Sequence, residues 1–364
     1  MSEVMEYKCP SCGGYLEFDA VSQKLKCPYC ESEFDTSQFA DETKDTKENN
    51  TLTQNGRSPH QSASGWSAEE LKGMYVYACK SCGGEIIGDE TLGATRCPYC
   101  GNTVVMKEQF SGDLRPDLII PFTKTKEEAI RNLESHVKRS IFAPKEYKSR
   151  DSLEEIRGVY VPFWLYDTDA SFDMNFATRV MGRTWREGDY ICQEYTDFHI
   201  HKAGTVDFAG IPVDASTKMT DELMDSLEPF DLNQAVPFNP VYMAGYAADR
   251  YDVDQHQNEG RLDERIKDFV NHDIRNELRE YATVQSIGGH VQVGKKRARY
   301  VLLPVWVLSS TWNGDIYTYA MNGQTGKVAG RIPVDQNSVN KYWLKYSAIF
   351  SVIAFIICFI GLLI

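Results

Sequence analysis

The chain has 364 residues, 42% of them hydrophobic, so it is long enough for more than one domain with a buried core. Its formal net charge of -13 argues against a protein whose main partner is a polyanion such as DNA. The N-terminus, Met1–Glu6, lacks the basic and apolar regions of a signal peptide. We therefore expect a reducing compartment, in which paired cysteines hold metal more often than they form disulfides.

Eight of the ten cysteines form four CxxC pairs, arranged as two copies of one module that are 70 residues apart. In each copy, fourteen residues separate a C-x-x-C-G-G motif's second cysteine from a C-P-Y-C motif. Four thiolates are a ligand set of structural Zn²⁺, and the intervening segment is long enough for one hairpin. The sequence therefore predicts zinc ribbons at 1–40 and 73–110, each with one structural Zn²⁺. The predicted ligands are Cys9, Cys12, Cys27 and Cys30 in ribbon 1, and Cys79, Cys82, Cys97 and Cys100 in ribbon 2.

Redox-active CxxC pairs and an iron–sulfur cluster are the alternatives, but redox motifs usually occur singly at the start of a helix. A site filled by four cysteines leaves no open position for a catalytic water. Residues 1–40 carry three lysines against seven acidic residues, and residues 75–107 carry three basic and three acidic residues. Neither ribbon has the positive surplus that binding to phosphates requires, so protein partners are favoured over nucleic acid.

Residues 41–72 are polar and are predicted to form a flexible linker. The segment 111–335 has the composition of a folded α+β body. A capping box at Thr125–Glu128 begins a predicted helix with Ile130, Leu133, Val137 and Ile141 on one face. A second helix is predicted over 260–281, with Leu262, Ile266, Phe269, Val270, Ile274 and Leu278 on one face. The predicted strands are Val159–Tyr166, Ser171–Val180, Tyr190–His199, Tyr300–Leu308 and Asp315–Met321.

The segments Val161–Leu165 and Leu303–Val307 resemble each other, and each follows a predicted helix, which is consistent with two related halves of the body. Asn322–Gly326 is a strong turn signal. Gly323–Lys327 is similar to a phosphate-binding loop but lacks the GxxxxGK[ST] spacing, so a hairpin turn explains it.

His199 and His201 share one face of a predicted strand, and a metal pair is the alternative to a structural role for them. No third histidine is close to them in the sequence, which favours the structural role. The remaining aromatic and cysteine residues are expected in the core or in the apolar C-terminus: Trp164, Trp306, Trp312, Cys192 and Cys358. No catalytic constellation was found, and we predict that the protein is not an enzyme.

The C-terminal segment Ser347–Ile364 has eighteen residues and no charge. A helix of this length reaches about 27 Å, close to the thickness of the hydrocarbon core of a bilayer. Tyr342, Trp343 and Tyr346 precede it as interfacial aromatics, and Lys341 and Lys345 predict that the preceding bulk lies in the cytoplasm. We therefore expect an interfacial segment and a transmembrane helix over 341–364, which would make a tail-anchored, single-pass protein of the cell membrane whose residues 347–364 contact the lipid bilayer.

Four segments carry a resemblance to a bacterial family: Lys8–Gly14, Cys27–Cys30, Pro162–Asp167 and Met321–Lys327. Together they resemble TFIIB-type zinc-ribbon membrane proteins, which are often labelled primosomal helicases. A helicase motor needs a Walker A loop, and this sequence has none, so the helicase label does not fit. The resemblance implies an adaptor encoded near flotillin-like (SPFH) or phage-shock-protein-A-like partners, with a role in membrane stress.

The expected fold is therefore multidomain, with two small β zinc ribbons, an α+β body and a C-terminal transmembrane helix. The first functional hypothesis is a membrane-anchored, cytosol-facing zinc-ribbon adaptor or scaffold, in which the linker lets ribbon 1 move relative to ribbon 2. The alternatives are a membrane-tethered, zinc-dependent nucleic-acid-binding protein, and a body with an enzymatic or lipid-binding role. The sequence does not identify the oligomeric state.

Overall fold

The computed structural model describes residues 7–39, 66, 74–88, 97–102, 104–109, 114–144, 153 and 155–363. In these residues the chain forms a small three-stranded sheet and a large sheet of twelve strands. The small sheet contains β1 (Glu17–Asp19), β2 (Lys24–Lys26) and β3 (Glu33–Phe34). The large sheet contains β4 (Tyr75–Cys79), β5 (Glu85–Gly88), β6 (Val104–Gln109), β7 (Leu118–Ile119), β8 (Arg157–Glu187), β9 (Tyr190–Asp214), β10 (Val236–Pro237), β11 (Ala247–Asp249), β12 (Thr283–Val293), β13 (Arg297–Trp312), β14 (Asp315–Asn322) and β15 (Val328–Gly330). The α-helices are α1 (Lys126–Arg139), α2 (Asp221–Leu227), α3 (Glu259–Glu277) and α4 (Gln336–Leu363).

The centre of the large sheet is an antiparallel pair, β8 and β13, in which Val161 lies opposite Leu303. The two similar segments noted in the sequence are therefore direct neighbours. Strand β7 runs parallel to β13, and β11 runs parallel to β8, so the central order is β7-β13-β8-β11. The short strand β7 thus pairs with β13 although β8 is nearer to it in the sequence, and the short strand β11 pairs with β8 although β13 is nearer.

Both faces of this central region are covered, which explains its continuous apolar sequence. Val159, Val161 and Phe163 point to one face, where they pack in a core with Met224 and Leu227 of α2. The alternate residues, Tyr160, Trp164 and Tyr166, belong to the core on the other face. That core also contains the buried sides of α1 and α3: Ala129, Ile130, Leu133, Val137, Leu262, Ile266, Val270 and Ile274.

The two long helices predicted for the body are present. Thr125 caps α1, because its hydroxyl accepts from the Glu128 amide at 3.2 Å while the Glu128 carboxylate accepts from the Thr125 amide at 2.9 Å. Ile141 lies beyond the end of α1 and is exposed. In α3, Phe269 is more than half exposed, although its ring contacts Phe208 at 5.5 Å.

Strands β8 and β9 form one long hairpin, which the sequence analysis divided into shorter strands. A register shift between Tyr166 and Thr168 lets β8 continue through a polar stretch. We call residues 170–206 the hairpin arm. Strand β12 pairs with residues 170–179 of β8, so the arm has three strands near the body. Residues 180–196, beyond the last pair with β12, form a two-stranded end that we call the arm tip.

The expected fold class was wrong in two respects. The body is predominantly β, because strands β8, β9 and β13 are much longer than the sequence pattern predicted and β12 is a strand that it did not predict. Ribbon 2 is not a separate small sheet either. Its strands β4, β5 and β6 belong to the large sheet, because β5 pairs with β11 of the body through Ile87 and Ala248.

The predicted transmembrane helix at 347–364, and with it the predicted single-pass membrane localisation, was also wrong. No helix among the described residues is long and apolar enough to cross a membrane. Helix α4 begins at Gln336, before the apolar segment from Ser347 onward. The preceding turns of α4 carry Lys341 and Lys345.

The predicted linker, 41–72, lies outside the described residues except for Trp66. The indole of Trp66 packs edge-on against the ring of Phe238 at 5.4 Å, so this point of the segment contacts the body.

Candidate metal centres

The eight predicted metal ligands come together as two separate groups of four. Within each group, all Sγ atoms lie within 4.8 Å of one another. The shortest Sγ–Sγ distances are 3.5 Å for Cys9–Cys30, 3.5 Å for Cys12–Cys27, 3.4 Å for Cys79–Cys100 and 3.6 Å for Cys82–Cys97. A tetrahedral ion with metal–sulfur bonds of about 2.3 Å needs sulfur atoms about 3.8 Å apart. Both groups therefore have the size and donor chemistry of a tetrahedral metal site.

Each CxxC pair is formed by a tight turn whose fifth residue has a positive φ. These residues are Gly13, Glu31, Gly83 and Gly101, with φ between 60° and 75°. In each turn the amide of that residue donates to the carbonyl of the first cysteine, for example from Gly13 to Cys9 at 2.8 Å. Glycine adopts this conformation freely, whereas Glu31 adopts it at an energetic cost.

Hydrogen bonds lower the pKa of some of these thiols, whereas burial raises it. The pKa of Cys30 is lowered to about 6 by the Ser32 hydroxyl, 3.3 Å away, and the Ser32 amide. Burial raises the pKa of Cys97. At Cys100 burial also raises the pKa, but hydrogen bonds from the Asn102 backbone and side chain lower it to about 7. Each group thus contains a cysteine that is prepared to bind a cation as a thiolate.

Ribbon 1 is a small sheet that docks on one face of the body. The Phe18 amide donates to the Ala244 carbonyl at 3.0 Å, and the Phe18 ring packs edge-on against Tyr242 at 5.2 Å. The Gln23 side chain donates to the Phe122 carbonyl at 2.8 Å. The expected free movement of ribbon 1 therefore does not agree with the structure.

Part of the surface of ribbon 1 is exposed to solvent. Cys12 and Cys30 are exposed, and so are the large side chains of Val21 and Tyr29, each 72% exposed. Tyr29 stands between Cys27 and Cys30 in the CPYC turn, and its ring lies over the backbone of Gly14. The metal site of ribbon 1 is thus close to an apolar surface.

Ribbon 2 is built into the body. The Ser309 hydroxyl donates to the Pro98 carbonyl at 2.8 Å, and the Arg250 guanidinium pairs with Glu85 at 2.8 Å. Cys79, Cys97 and Cys100 are buried in the same apolar core as the central strands β8 and β13. Tyr99, which corresponds to Tyr29, is only 6% exposed.

A group of buried acidic residues lies beneath ribbon 2, where Asp249 is next to Tyr99. The Ser216 hydroxyl donates to Asp249 at 2.5 Å, and the Ser216 amide donates to Asp214 at 3.2 Å. Burial raises the pKa of Asp214 to about 8 and that of Asp249 to about 7. Sequence reasoning missed this group, because a single aspartate at the end of a strand gives no sign that the strand is buried.

An open cleft of about 790 Å³ separates ribbon 1 from the N-terminal end of α1. Ribbon 1 contributes Ala20, Val21 and Gln23 to its walls, and α1 contributes Glu128 and Arg131. The histidines of β9 lie elsewhere. His201 bonds to Asp173 at 3.0 Å, and no group of potential ligands in the described part of the chain includes His199 or His201.

The other residues singled out in the sequence lie as follows. Trp164 and Trp306 are buried, as predicted, and Trp312 is partly buried. The side-chain Oδ1 of Asn322 accepts from the Gln324 and Thr325 amides, both at 2.9 Å, which closes the predicted turn. Cys192 was expected in the core but lies half-exposed on the arm tip, because β9 extends beyond the body. The Cys358 side chain lies outside the described residues.

Fold and sites together define a predominantly β protein with two tetracysteine groups of the size of a metal site, one peripheral and one within the main sheet. No protein-family model matches the chain, and no solved structure matches it either. The chain is 33% identical over 337 residues to the uncharacterized protein YdjG of Bacillus subtilis (strain 168), and the match covers 92% of each chain. This protein therefore belongs to the same family as YdjG.

Proposed function

We propose that this protein is a zinc-dependent protein-binding adaptor, in which ribbon 1 binds the partner and ribbon 2 stabilises the body. Zn²⁺ is the metal we propose for both sites, because four thiolates at tetrahedral spacing with no open position form a closed structural zinc site. The resemblance of the sequence to TFIIB-type zinc-ribbon proteins suggests flotillin-like or phage-shock-protein-A-like partners.

The exposure of Tyr29 and Val21 is the observation that carries this proposal. Ribbon 2 buries the corresponding tyrosine, Tyr99, against the body. In ribbon 1, Tyr29 is exposed in the CPYC turn, and Val21 is exposed where it lines the cleft. Exposed aromatic residues next to a rigid, metal-stabilised turn have the character of an anchor for a protein partner.

The charge of ribbon 1 favours a protein partner over nucleic acid. Its described residues include Glu17, Asp19 and Glu33 on the three strands and only two lysines there, Lys24 and Lys26. A surface of this kind lacks the clustered positive charge that attracts phosphates. The proposal assigns no catalytic step to the protein.

A binding experiment tests the proposal directly. The full chain, purified with Zn²⁺, would be titrated with a purified flotillin-like or phage-shock-protein-A-like protein from the same organism. We expect the Val21→Ser/Tyr29→Ser variant to bind at least tenfold more weakly than the unmodified chain, because two apolar contacts are lost. Ile316→Ser is the matched control, since Ile316 is also an exposed apolar residue but lies on the β13–β14 hairpin.

Two results would contradict the proposal. One is equal partner binding by the Val21→Ser/Tyr29→Ser variant and the control. The other is salt-dependent retardation of DNA by the full chain that persists in the Ile316→Ser control and is lost with ribbon 1, which would instead support nucleic-acid binding. Metal analysis by mass spectrometry completes the test, with two Zn²⁺ per chain as the expected result.

A further inference from the structure

The arm tip carries a cluster of exposed apolar side chains. The residues concerned are Val180, Met181, Trp185, Tyr190, Ile191 and Tyr195, all of them exposed. Trp185 is 47% exposed and Tyr190 is 77% exposed. Residues 180–187 extend for about 26 Å, so these side chains form a surface of their own.

Strand register assigns these side chains to the two faces of the tip. Trp185 lies opposite Cys192, and residues that are directly opposite in a hairpin share a face. Alternation along β9 puts Tyr190 and Phe198 on the same face as Cys192, and Val180 shares it through its pair with Thr196. This face, which we call the tip face, is the continuation of the arm surface that α3 covers.

Helix α3 covers this side of the arm only up to its own end. Phe176, on the same side of β8, is buried with Val270 and Ile274 of α3. After α3, the ring of Tyr281 contacts Phe198 at 6.0 Å. Beyond this contact the apolar face continues, but nothing in the described part of the chain covers Trp185 and Tyr190.

We propose that the tip face is a dimerisation surface, which packs against the tip face of a second copy of this chain about a two-fold axis. An isologous contact of this kind is the commonest route to a homodimer. At roughly 200 Å² for a fully exposed aromatic side chain, Trp185, Tyr190 and Phe198 alone supply about 350 Å². This is nearly half of the ~800 Å² that each partner contributes to a standard interface.

The distribution of charge favours a second copy of this chain as the partner of the tip face. The whole chain has a net charge of -13, so most of its surface repels another copy. Residues 180–196 carry two arginines and three acidic residues, a nearly neutral set, and Arg183 pairs with Glu194 within the tip. The arm from residue 170 to 187 measures about 55 Å, which keeps two acidic bodies separated by more than the Debye length of about 10 Å.

Analytical ultracentrifugation of the full, zinc-loaded chain tests the proposal. We expect a dimer for the unmodified chain and for the matched control Ile316→Ser. The Trp185→Ser/Tyr190→Ser variant should raise the dissociation constant by roughly 100-fold or more, because two aromatic anchors are removed. Unchanged zinc content and an unchanged unfolding midpoint would show that this variant still folds.

Thiol cross-linking distinguishes the tip from any other contact between copies. In a Cys358→Ser background, a short bis-maleimide should join Cys192 of one copy to Cys192 of the other. This product should disappear in the Trp185→Ser/Tyr190→Ser variant and remain in Ile316→Ser. A monomeric unmodified chain, or a dimer that persists without the two aromatics and gives no Cys192 cross-link, would overturn the proposal.

Discussion

The two ribbons share one cysteine pattern but have different surroundings, and this difference separates a structural role from a binding role. In ribbon 2 the CPYC tyrosine, Tyr99, is 6% exposed, and the three strands belong to the main sheet. In ribbon 1 the corresponding Tyr29 is 72% exposed, and the strands form a sheet of their own. The same motif can therefore act as part of a core or as a surface, depending on what its hairpin pairs with.

Removal of the metal should reveal the largest difference between the two ribbons. We expect Cys79→Ser/Cys97→Ser to unfold most of the body, because these buried ligands belong to the core of the central strands. A structural zinc site contributes on the order of 10 kcal/mol, which is as large as the stability of a whole domain. Cys9→Ser/Cys27→Ser should unfold ribbon 1 alone. Near-ultraviolet circular dichroism and thermal unfolding would measure both, and equal losses in the two variants would contradict the assignment.

The second largest difference should be between the effects of replacing Tyr99 and Tyr29 on the free energy of unfolding. Tyr99→Ala leaves a cavity in the core and should lower the free energy of unfolding by about 3 kcal/mol. Tyr29→Ala should change it by less than about 0.5 kcal/mol, because the side chain is largely in solvent. Urea unfolding of both variants gives the two values. A destabilisation by Tyr29→Ala as large as that by Tyr99→Ala would show that ribbon 1 is also a packed part of the core.

The buried carboxyls beneath ribbon 2 should make stability depend on pH. The raised pKa values of Asp214, about 8, and Asp249, about 7, mean that both groups are neutral in the folded protein at low pH. Their contribution to stability is complete below the unfolded value, near 4, and is lost as pH rises through 7 and 8. Between pH 6 and 9 we expect a loss of about 4 kcal/mol, since the loss extends over roughly two pH units for Asp214 and one for Asp249, at about 1.4 kcal/mol per unit.

Asp214→Asn supplies the control for this pH dependence. The amide oxygen can still accept the hydrogen bond of the Ser216 amide, and the group no longer ionises. Urea unfolding at several pH values should give a flatter profile for Asp214→Asn than for the unmodified chain. A stability that rises with pH in the unmodified chain would contradict the assigned protonation states.

The smallest expected effect concerns the single metal-binding turn that lacks glycine. Glu31 has a φ of 60°, whereas Gly101 occupies the corresponding position in ribbon 2. Glu31→Gly should stabilise ribbon 1 by about 0.5–1 kcal/mol by relieving the left-handed strain. Gly101→Glu should destabilise ribbon 2 to a similar extent. Hydrogen exchange of the ribbon amides would measure both changes, and a less protected ribbon 1 in Glu31→Gly would show that the turn is not strained.

Local signals in the sequence predicted the two groups of four cysteines and the two long helices of the body well. A CxxC turn is determined by a few adjacent residues, and the capping box of Thr125 and Glu128 lies within one turn of α1. The hairpin arm was harder to predict, because Asp167 interrupts the apolar pattern of β8. Asp167 is satisfied by partners far away in sequence, the Gly210 amide at 2.8 Å and Arg299 at 3.2 Å.

Long-range pairing also explains the other failures. Ribbon 2 enters the main sheet through a pair between Ile87 and Ala248, which no local pattern around either residue indicates. Asp249 becomes buried by the same pairing. The apolar segment after Ser347 gave a strong local signal for membrane insertion, but no helix among the described residues is long and apolar enough to cross a membrane.

The crossed pairing at the centre of the sheet has a consequence for protein synthesis. Strand β7 cannot find its parallel partner until Val301 and Leu302 of β13 have been made, although β7 is itself complete at Ile119. The ribosome therefore adds about 180 residues while β7 lacks one of its neighbours, which at 5–20 residues per second takes roughly 10 to 35 seconds. During that interval the nascent chain exposes apolar strands, and we expect it to depend on chaperones that bind such segments until translation reaches β13.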